Sequence, residues 1–382
     1  FRVDTDTGAY CLKLHRNKIA GRIHVEEQFL QFLQQNGFTL SPKMVAANDG
    51  NFHIDVKDEH WWLSLFIESD PCPFWMMPTW RNAVCYRGGA ELARLHRVSD
   101  ALNFDELKRW LLPPPEHVKT LSSQATPSGI ESVLPSLRHS LNQLLSDCVV
   151  SIERDNRRDD AALLFLLEHS PQLEDILDDA LSKIEEVVKE RGQLELMAHG
   201  DYHPGNLLSG QSDEALEVVG IVDYEHSHLE DPIFDVGYAV VMFCAPWLSS
   251  LEDFVSGRKS FKTDFNKGAI GGIDGKLLRS LLEGYLTGLE RGLRHGGVLR
   301  VKGQTTRALA QRLHMLLGPY MIVSCFLLLT WLLKKYLHYP QRYRACYERA
   351  VVHSLNLLFY MAREEHRRRN WLNFVPAASE VV

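Results

Sequence analysis

Three short stretches hold the residue types that group-transfer chemistry needs. His199-Gly-Asp201-Tyr-His203-Pro-Gly-Asn206 sets a carboxylate and a carboxamide five residues apart in a polar loop. Val218-Val-Gly-Ile-Val ends on Asp223, with Glu225 just after it, and Asp231-Pro-Ile-Phe-Asp235 follows. Phosphoryl transfer needs a carboxylate to orient the attacking hydroxyl and take its proton, an amide oxygen and a second carboxylate to hold Mg²⁺, and a short loop fixing all three. Asp201 and Asn206 have the D-x-x-x-x-N spacing in which the Asp faces the hydroxyl and the Asn faces the metal. Asp223, at the end of an apolar strand, is placed as the second carboxylate, the one that binds the metal with Asn206, and a small hard cation takes oxygen ligands of this kind. Upstream, Lys13 lies in the alternating run Cys11-Leu-Lys-Leu, and Glu26 follows thirteen residues later on a helix. A lysine so placed reaches the α and β phosphates of a nucleotide while the helix carboxylate holds it. Glu27 is adjacent, but Phe29 and Leu30, three and four residues past Glu26, mark the core side and favour Glu26 as the inward carboxylate.

These residues need a scaffold. Phe1 to Val3, a turn cluster from Asp4 to Gly8, and Ala9 to Leu14 have the alternation of a β-hairpin. Ile23 to Leu33 has helical periodicity, and Asn51 to Val56 and Trp61 to Ile67 read as two more strands around the charged turn from Lys57 to His60. Glu68-Ser-Asp-Pro-Cys-Pro then carries two prolines in six residues, which a strand rarely survives, so an interlobe hinge is expected at 68–73. Helices are expected over Arg81 to Val98, Ile130 to Val150 and Ala161 to Arg191, with a Pro/Ser-rich connector between the first two. Leu194 to Ala198 and Glu217 to Val222 read as strands flanking a polar loop from His199 to Asp213, and from Ile233 to about Arg369 the pattern is helical. No internal repeat or low-complexity tract appears.

Composition narrows the function. The 382 residues suit two lobes, and 45% apolar with 24% charged residues is the balance of a globular chain with a sizeable core. With 42 Lys and Arg against 49 Asp and Glu the net charge is −7, so no global basic field draws in nucleic acid. The seven cysteines form no C-x-x-C pair and fit a reducing cytoplasm, and no signal peptide is visible at the start of the sequence, which looks truncated. Met315 to Leu333 is free of charge for 19 residues, which is long enough to span a bilayer. Gly318-Pro319 is expected to cut that run and leave Tyr320 to Leu333 as a buried helix, so no membrane partner is expected.

Several features have a second reading. His199, Asp201 and His203 place three metal donors within five residues. Glu225 and Asp231 read either as an acidic wall for a cationic substrate or as loop and helix caps. Trp61, Trp62, Phe74, Trp75 and Trp80 read as a cage for a quaternary ammonium or as core packing. The basic run from Arg363 to Arg369 reads as a solvated helix end.

Taken together, H-G-D-x-H-x-x-N at His199 to Asn206, I-V-D-Y-E at Ile221 to Glu225, D-P-x-x-D at Asp231 to Asp235 and Glu91-Leu-Ala-Arg-Leu-His96 resemble the aminoglycoside phosphotransferase and choline kinase-like superfamily in type and order. The resemblance covers nearly the whole chain. It implies an α+β, two-lobed, protein-kinase-like fold: a small antiparallel N-terminal lobe with one key helix over 1–67, the hinge at 68–73, and a large mainly helical lobe over 74–382. It also implies ATP and Mg²⁺, with transfer of the γ-phosphoryl group to a hydroxyl of a small acceptor resembling an aminoglycoside, choline or homoserine. In that family pattern Asp201 is the base, Asn206 and Asp223 bind the metal, and Lys13 with Glu26 positions the phosphates. The backbone of Phe66, Ile67, Glu68 and Ser69 receives adenine, Asp235 braces the catalytic loop, and His199, His203 and Glu225 support it. The family carries a strand and a phosphate-covering loop before the hairpin at which this sequence opens, so either the given sequence starts after them or the N-terminal lobe holds nucleotide with an incomplete roof. An inactive, nucleotide- or partner-binding relative is the alternative this leaves. The acceptor, a preference for ATP over GTP, and the oligomeric state have no sequence marker.

Overall fold

The structure is a computed structural model and describes residues 1–16, 20–56, 59–70, 81–102, 132–155, 157–212, 215–245, 272–291, 306–338 and 341–366. The chain forms two compact units. The first comprises Phe1–Ser132, Glu195–Asp235 and Glu283–Thr306, and the second Val133–Leu194, Val236–Leu282 and Arg307–Val382.

The first unit opens with β1 (Arg2–Thr5) and β2 (Gly8–Arg16), then α1 (Ala20–Gln35), β3 (Met44–Val45), β4 (His53–Val56) and β5 (Glu59–Leu65). The strands make one antiparallel sheet ordered β1-β2-β5-β3, with β4 also pairing β5. Thr5 sets the first turn, accepting the Thr7 amide and donating to the Gly8 carbonyl. Lys13 stands directly opposite Trp62 in the ladder, so both side chains share one face. On β5 Trp62 and Ser64 are buried, and α1 buries Ile23, Phe29, Leu30 and Leu33 on its apolar side. Fully burying each such side chain stabilises by about 1.5–3 kcal/mol, which fixes the helical phase and hence the position of Glu26.

The same unit contains α2 (Arg81–Asp100), β6 (Leu196–Ala198), β7 (Leu207–Ser212), β8 (Ala215–Ile221) and β9 (His228–Glu230). β6 pairs with β9, and β7 pairs with β8 through a register shift at Leu208/Ser209. The stretch from His199 to Asp213 is therefore not all loop. Its second half becomes β7 because the apolar β8 that follows it offers a ladder, with Ser212 opposite Ala215, a pairing that polar composition hides.

The remaining helices are α3 (Leu134–Arg154), α4 (Ala161–Glu168), α5 (Ser170–Arg191), α6 (Pro232–Cys244), α7 (Gly275–Arg291), α8 (Thr306–His338) and α9 (Gln341–His366). The single helix expected from Ala161 to Arg191 is two, because Pro171 lies in the first turn of α5 and cannot continue the hydrogen bonds of the turn before it. The break expected at Gly318-Pro319 does not occur. Pro319 lies inside a continuous α8, where Leu316, Leu317, Tyr320, Met321 and Val323 are all buried. That apolar burial outweighs the cost of an interior proline, about 3 kcal/mol. α8 is long and apolar enough to cross a membrane, and 89% of its most apolar window is buried inside the protein. Residues 71–73 of the expected hinge, Phe74, Trp75 and Trp80, the Pro/Ser-rich connector, and 367–369 of the basic run lie outside the described residues.

Candidate active site

The site lies within the first unit and begins at Lys13. Its Nζ is 2.8 Å from Asp223 Oδ1, 3.1 Å from Glu26 Oε1 and 3.4 Å from Glu225 Oε2. Burial opposes the ammonium charge, but Glu26, Asp223 and Glu225 together outweigh it and hold Lys13 above the ordinary lysine range. The Trp62 ring lies 5.5 Å from Nζ and covers the cation. Glu26 is 4% exposed and faces Lys13, whereas neighbouring Glu27 turns to His53 Nδ1 at 2.9 Å. That bond raises the His53 pKa above its ordinary value. Trp62, expected in either a cage or a core, is buried and donates its indole N–H to His15 Nε2.

His15 is a site residue that the motif reading missed. It lies 3.7 Å from Glu26 and 3.9 Å from Glu225, so it borders the same cluster of charges. The signal was in the strand period, since residues 13 and 15 of β2 share a face.

β6 delivers the chain to the loop that opens at His199. Gly200 takes φ +81°, and a Cβ there would lie 2.1 Å from the His226 carbonyl oxygen, so no other residue fits. Asp235, in the first turn of α6, accepts the backbone N–H of His199 at 2.7 Å and of Gly200 at 2.9 Å, and His96 Nε2 lies 3.1 Å from its Oδ2. Burial disfavours the charge on Asp235, but its bond to His96 and the amide donors outweigh this and hold the carboxyl below its ordinary range. His199 gives its Nε2–H to the Val222 carbonyl at 3.1 Å and accepts the Asp201 amide on Nδ1 at 3.3 Å. Burial lowers its pKa, which suits a neutral ring with both nitrogens committed to the backbone. That removes His199 from the alternative metal-ligand reading. Among the described residues no group of three or more His, Cys, Asp and Glu could hold a metal ion.

Asn206 donates to Asp201, and the His203 ring lies beside it. Asn206 Nδ2 lies 3.2 Å from its Oδ2 and 2.9 Å from its backbone carbonyl. His203 accepts the Gly205 amide on Nδ1 at 3.0 Å, so its proton sits on Nε2, 3.4 Å from the same Oδ2. Tyr202 is fully buried and donates to the Gly88 carbonyl at 2.7 Å, tying the loop to α2.

The Asn206 carbonyl accepts the Val222 amide at 2.9 Å, which sets Asn206 beside the backbone that carries Asp223. Asp223 has φ 68° and ψ 60°, the left-handed region, and among the described residues no other non-glycine has a positive φ. Such a conformation costs about 1–3 kcal/mol and persists where surrounding structure enforces it. Asn206 gives its amide nitrogen to Asp201; its carboxamide oxygen and the Asp223 carboxylate are oxygen donors of the kind a small hard cation takes.

The expected adenine segment leaves β5. The Phe66 amide donates to the Ala9 carbonyl at 3.0 Å, and Arg2 covers the Phe66 ring at 4.5 Å while pairing with Glu68 at 3.2 Å. Ile67 packs over Gly220, where a Cβ would come within 2.9 Å of it, and one residue past Ser69 the Asp70 amide reaches the Ser209 carbonyl on β7 at 2.8 Å. Of the two acids read as a wall for a cation, Asp231 is 3% exposed and caps α6 by accepting the Ile233 amide, so it does not face solvent. Glu225 remains part-exposed beside Lys13.

The sequence model of the phosphotransferase enzyme family matches residues 1–261. No curated protein matches the chain. Among solved structures, an ethanolamine kinase from Plasmodium vivax aligns at 12% identity and TM-score 0.50, over 92% of this chain and 78% of its own. A microcompartment-associated aminopropanol kinase aligns at 14% and 0.51, over 96% and 89%. Spectinomycin phosphotransferase, in complex with ADP and spectinomycin, aligns at 12% and 0.50, over 96% and 88%. These likenesses carry the fold, and it is the α+β, protein-kinase-like one that the motifs imply.

Proposed function

Because the chain belongs to the phosphotransferase enzyme family, we propose that it transfers the γ-phosphoryl group of ATP to a hydroxyl of a small molecule. The observation that carries this reading is the meeting of Lys13, Glu26 and Asp223, separated by 13 and 210 residues in the chain, in one ion cluster. Lys13, kept cationic by that cluster, is the residue for the nucleotide phosphates. Asn206 and Asp223 would hold Mg²⁺, whose chemistry when bound is to neutralise charge on the phosphates. Asp201, held by Asn206 and His203, orients the acceptor hydroxyl. The hydroxyl oxygen forms the new bond to the γ-phosphorus, the bond to the β-phosphate oxygen breaks, the proton goes to Asp201, and ADP leaves.

The nucleotide lobe is assigned to residues 1–67, the hinge to 68–73 and the acceptor lobe to 74–382, with Phe66 to Ser69 on adenine. The ADP named with spectinomycin phosphotransferase supports a nucleotide donor. Ethanolamine, aminopropanol and spectinomycin kinases among the similar structures make amine-bearing alcohols the first acceptors to try. Described cysteines Cys11, Cys85, Cys148, Cys244 and Cys325 are free thiols, which supports a cytoplasmic site of action. The test is a screen of amino alcohols and aminoglycosides with ATP labelled at the γ-phosphate. Label transferred to an acceptor by the wild type and not by Asp201→Asn supports the reading; equal transfer by both removes Asp201 from the chemistry.

A further inference from the structure

Beyond residue 261, the last that the family model matches, the chain returns to the first unit with Glu283–Thr306. This part of α7 carries Gly284, Tyr285 and Gly288. A Cβ on Gly284 would lie 1.9 Å from the Tyr86 carbonyl oxygen, and one on Gly288 2.6 Å from that of Ala90. Glycine at both positions lets α7 lie backbone to backbone on α2. The close approach seats Tyr285, 1% exposed, with its hydroxyl 2.9 Å from His96 Nδ1 and the two rings edge to face. His96 in turn reaches Asp235, whose oxygens hold the backbone of His199 and Gly200.

We infer that Tyr285 is a positioning residue for the catalytic loop, acting through His96 and Asp235. An ionised carboxylate only accepts, so His96 Nε2 must donate to Asp235. His96 Nδ1 is the one partner shown for the buried Tyr285 hydroxyl among the described residues, and donation to it satisfies that O–H, so Nδ1 is the acceptor and the Tyr285 hydroxyl the donor. Burial, aided by Asp231 and Asp235, raises the Tyr285 pKa and keeps that proton in place. Tyr285 thereby selects the His96 tautomer whose N–H points at Asp235. Asp235 then holds Gly200 in its left-handed conformation, one residue before Asp201. The kinetic consequence rests on the phosphotransferase reading; the hydrogen-bond chain does not.

The experiment compares wild type and Tyr285→Phe, each labelled with ¹⁵N in histidine and glycine, with His96→Gln assigning the His96 nitrogens. The expected wild-type spectrum is a neutral His96 with its proton on Nε2 and a hydrogen-bonded Nδ1. In Tyr285→Phe the Nδ1 resonance moves to that of an unbonded acceptor and the His199 and Gly200 amides shift. In the labelled-ATP assay kcat falls about tenfold, as the loss of one buried hydrogen bond would produce, with KM for ATP within about twofold. Adding Tyr285→Phe to His96→Gln causes no further loss, because the two residues act as one chain. A His96 with both nitrogens protonated, or with its proton on Nδ1, overturns the inference, as do unchanged loop amides with unchanged kcat, or fully additive variants. Should Tyr285→Phe unfold, the wild-type His96 spectrum decides alone. Should the wild type phosphorylate no acceptor, the functional reading fails, and the nitrogen and amide shifts still decide the role of Tyr285.

Discussion

Asp223 and Asp235 stand twelve residues apart in the chain and are used in opposite ways. Asp223 has a side chain 38% exposed, sits on a left-handed backbone, and shares one lysine with two other carboxylates. Asp235 is fully buried and accepts from two backbone amides and a histidine. The contrast separates a carboxylate that can exchange its partner for a cation from one whose partners are built into the fold. Exposure keeps the first exchangeable, because partners at a surface exchange with water at little cost. Burial commits the second, because each donor it released would be left without water.

The contrast predicts which loss each variant suffers. Asp201→Asn, which leaves the Asp235 network in place, is expected to lower kcat about 10²–10⁴-fold, the range of a lost general base, with the melting temperature near wild type. A comparable loss of stability in that variant would erase the distinction. Asp235→Ala should instead destabilise the protein by about 3–5 kcal/mol, as breaking a buried charged network does, measured by denaturant unfolding. A loss below about 1 kcal/mol would show that water replaces the carboxylate. Lys13→Met should lower kcat/KM for ATP about 10–100-fold, the equivalent of one charged hydrogen bond, and should leave KM for the acceptor near wild type.

The smallest effect concerns pH. Burial lowers the His199 pKa in the folded protein, so between its ordinary value of about 6.5 and that lower value the unfolded chain binds a proton that the folded chain does not. Stability is therefore fully present above about 6.5 and falls as pH falls through this window. His199→Gln is expected to flatten that acid limb, and an unchanged slope would place the proton uptake elsewhere.

The loop from His199 to Asn206 was legible because Asp201, Asn206 and the glycine between His199 and Asp201 are close in sequence, and the bond between Asp201 and Asn206 closes within the loop. The choice of Glu26 over Glu27 followed from helical phase, which burial of Phe29 and Leu30 enforces. What stayed hidden depends on partners outside the segment being read. β7 forms because β8 pairs with it, and α8 passes through Pro319 because its surroundings bury it. Asp231 could be read as a wall or a cap until the α6 amide it holds was visible. His96 was visible as part of a motif, but its two partners lie 139 and 189 residues away, and no spacing rule reaches that far.

The central proposal is that Asp223 would hold Mg²⁺ with the nucleotide, and the most direct test is thermal unfolding with ATP, with and without Mg²⁺, in wild type and Asp223→Ala. At about a hundred times its dissociation constant a ligand of the native state adds about 2.7 kcal/mol, which moves the midpoint visibly. The expected result is stabilisation that needs both ATP and Mg²⁺ in the wild type and is lost in Asp223→Ala. Stabilisation by ATP and Mg²⁺ that survives intact in the variant, or none in the wild type, would contradict it.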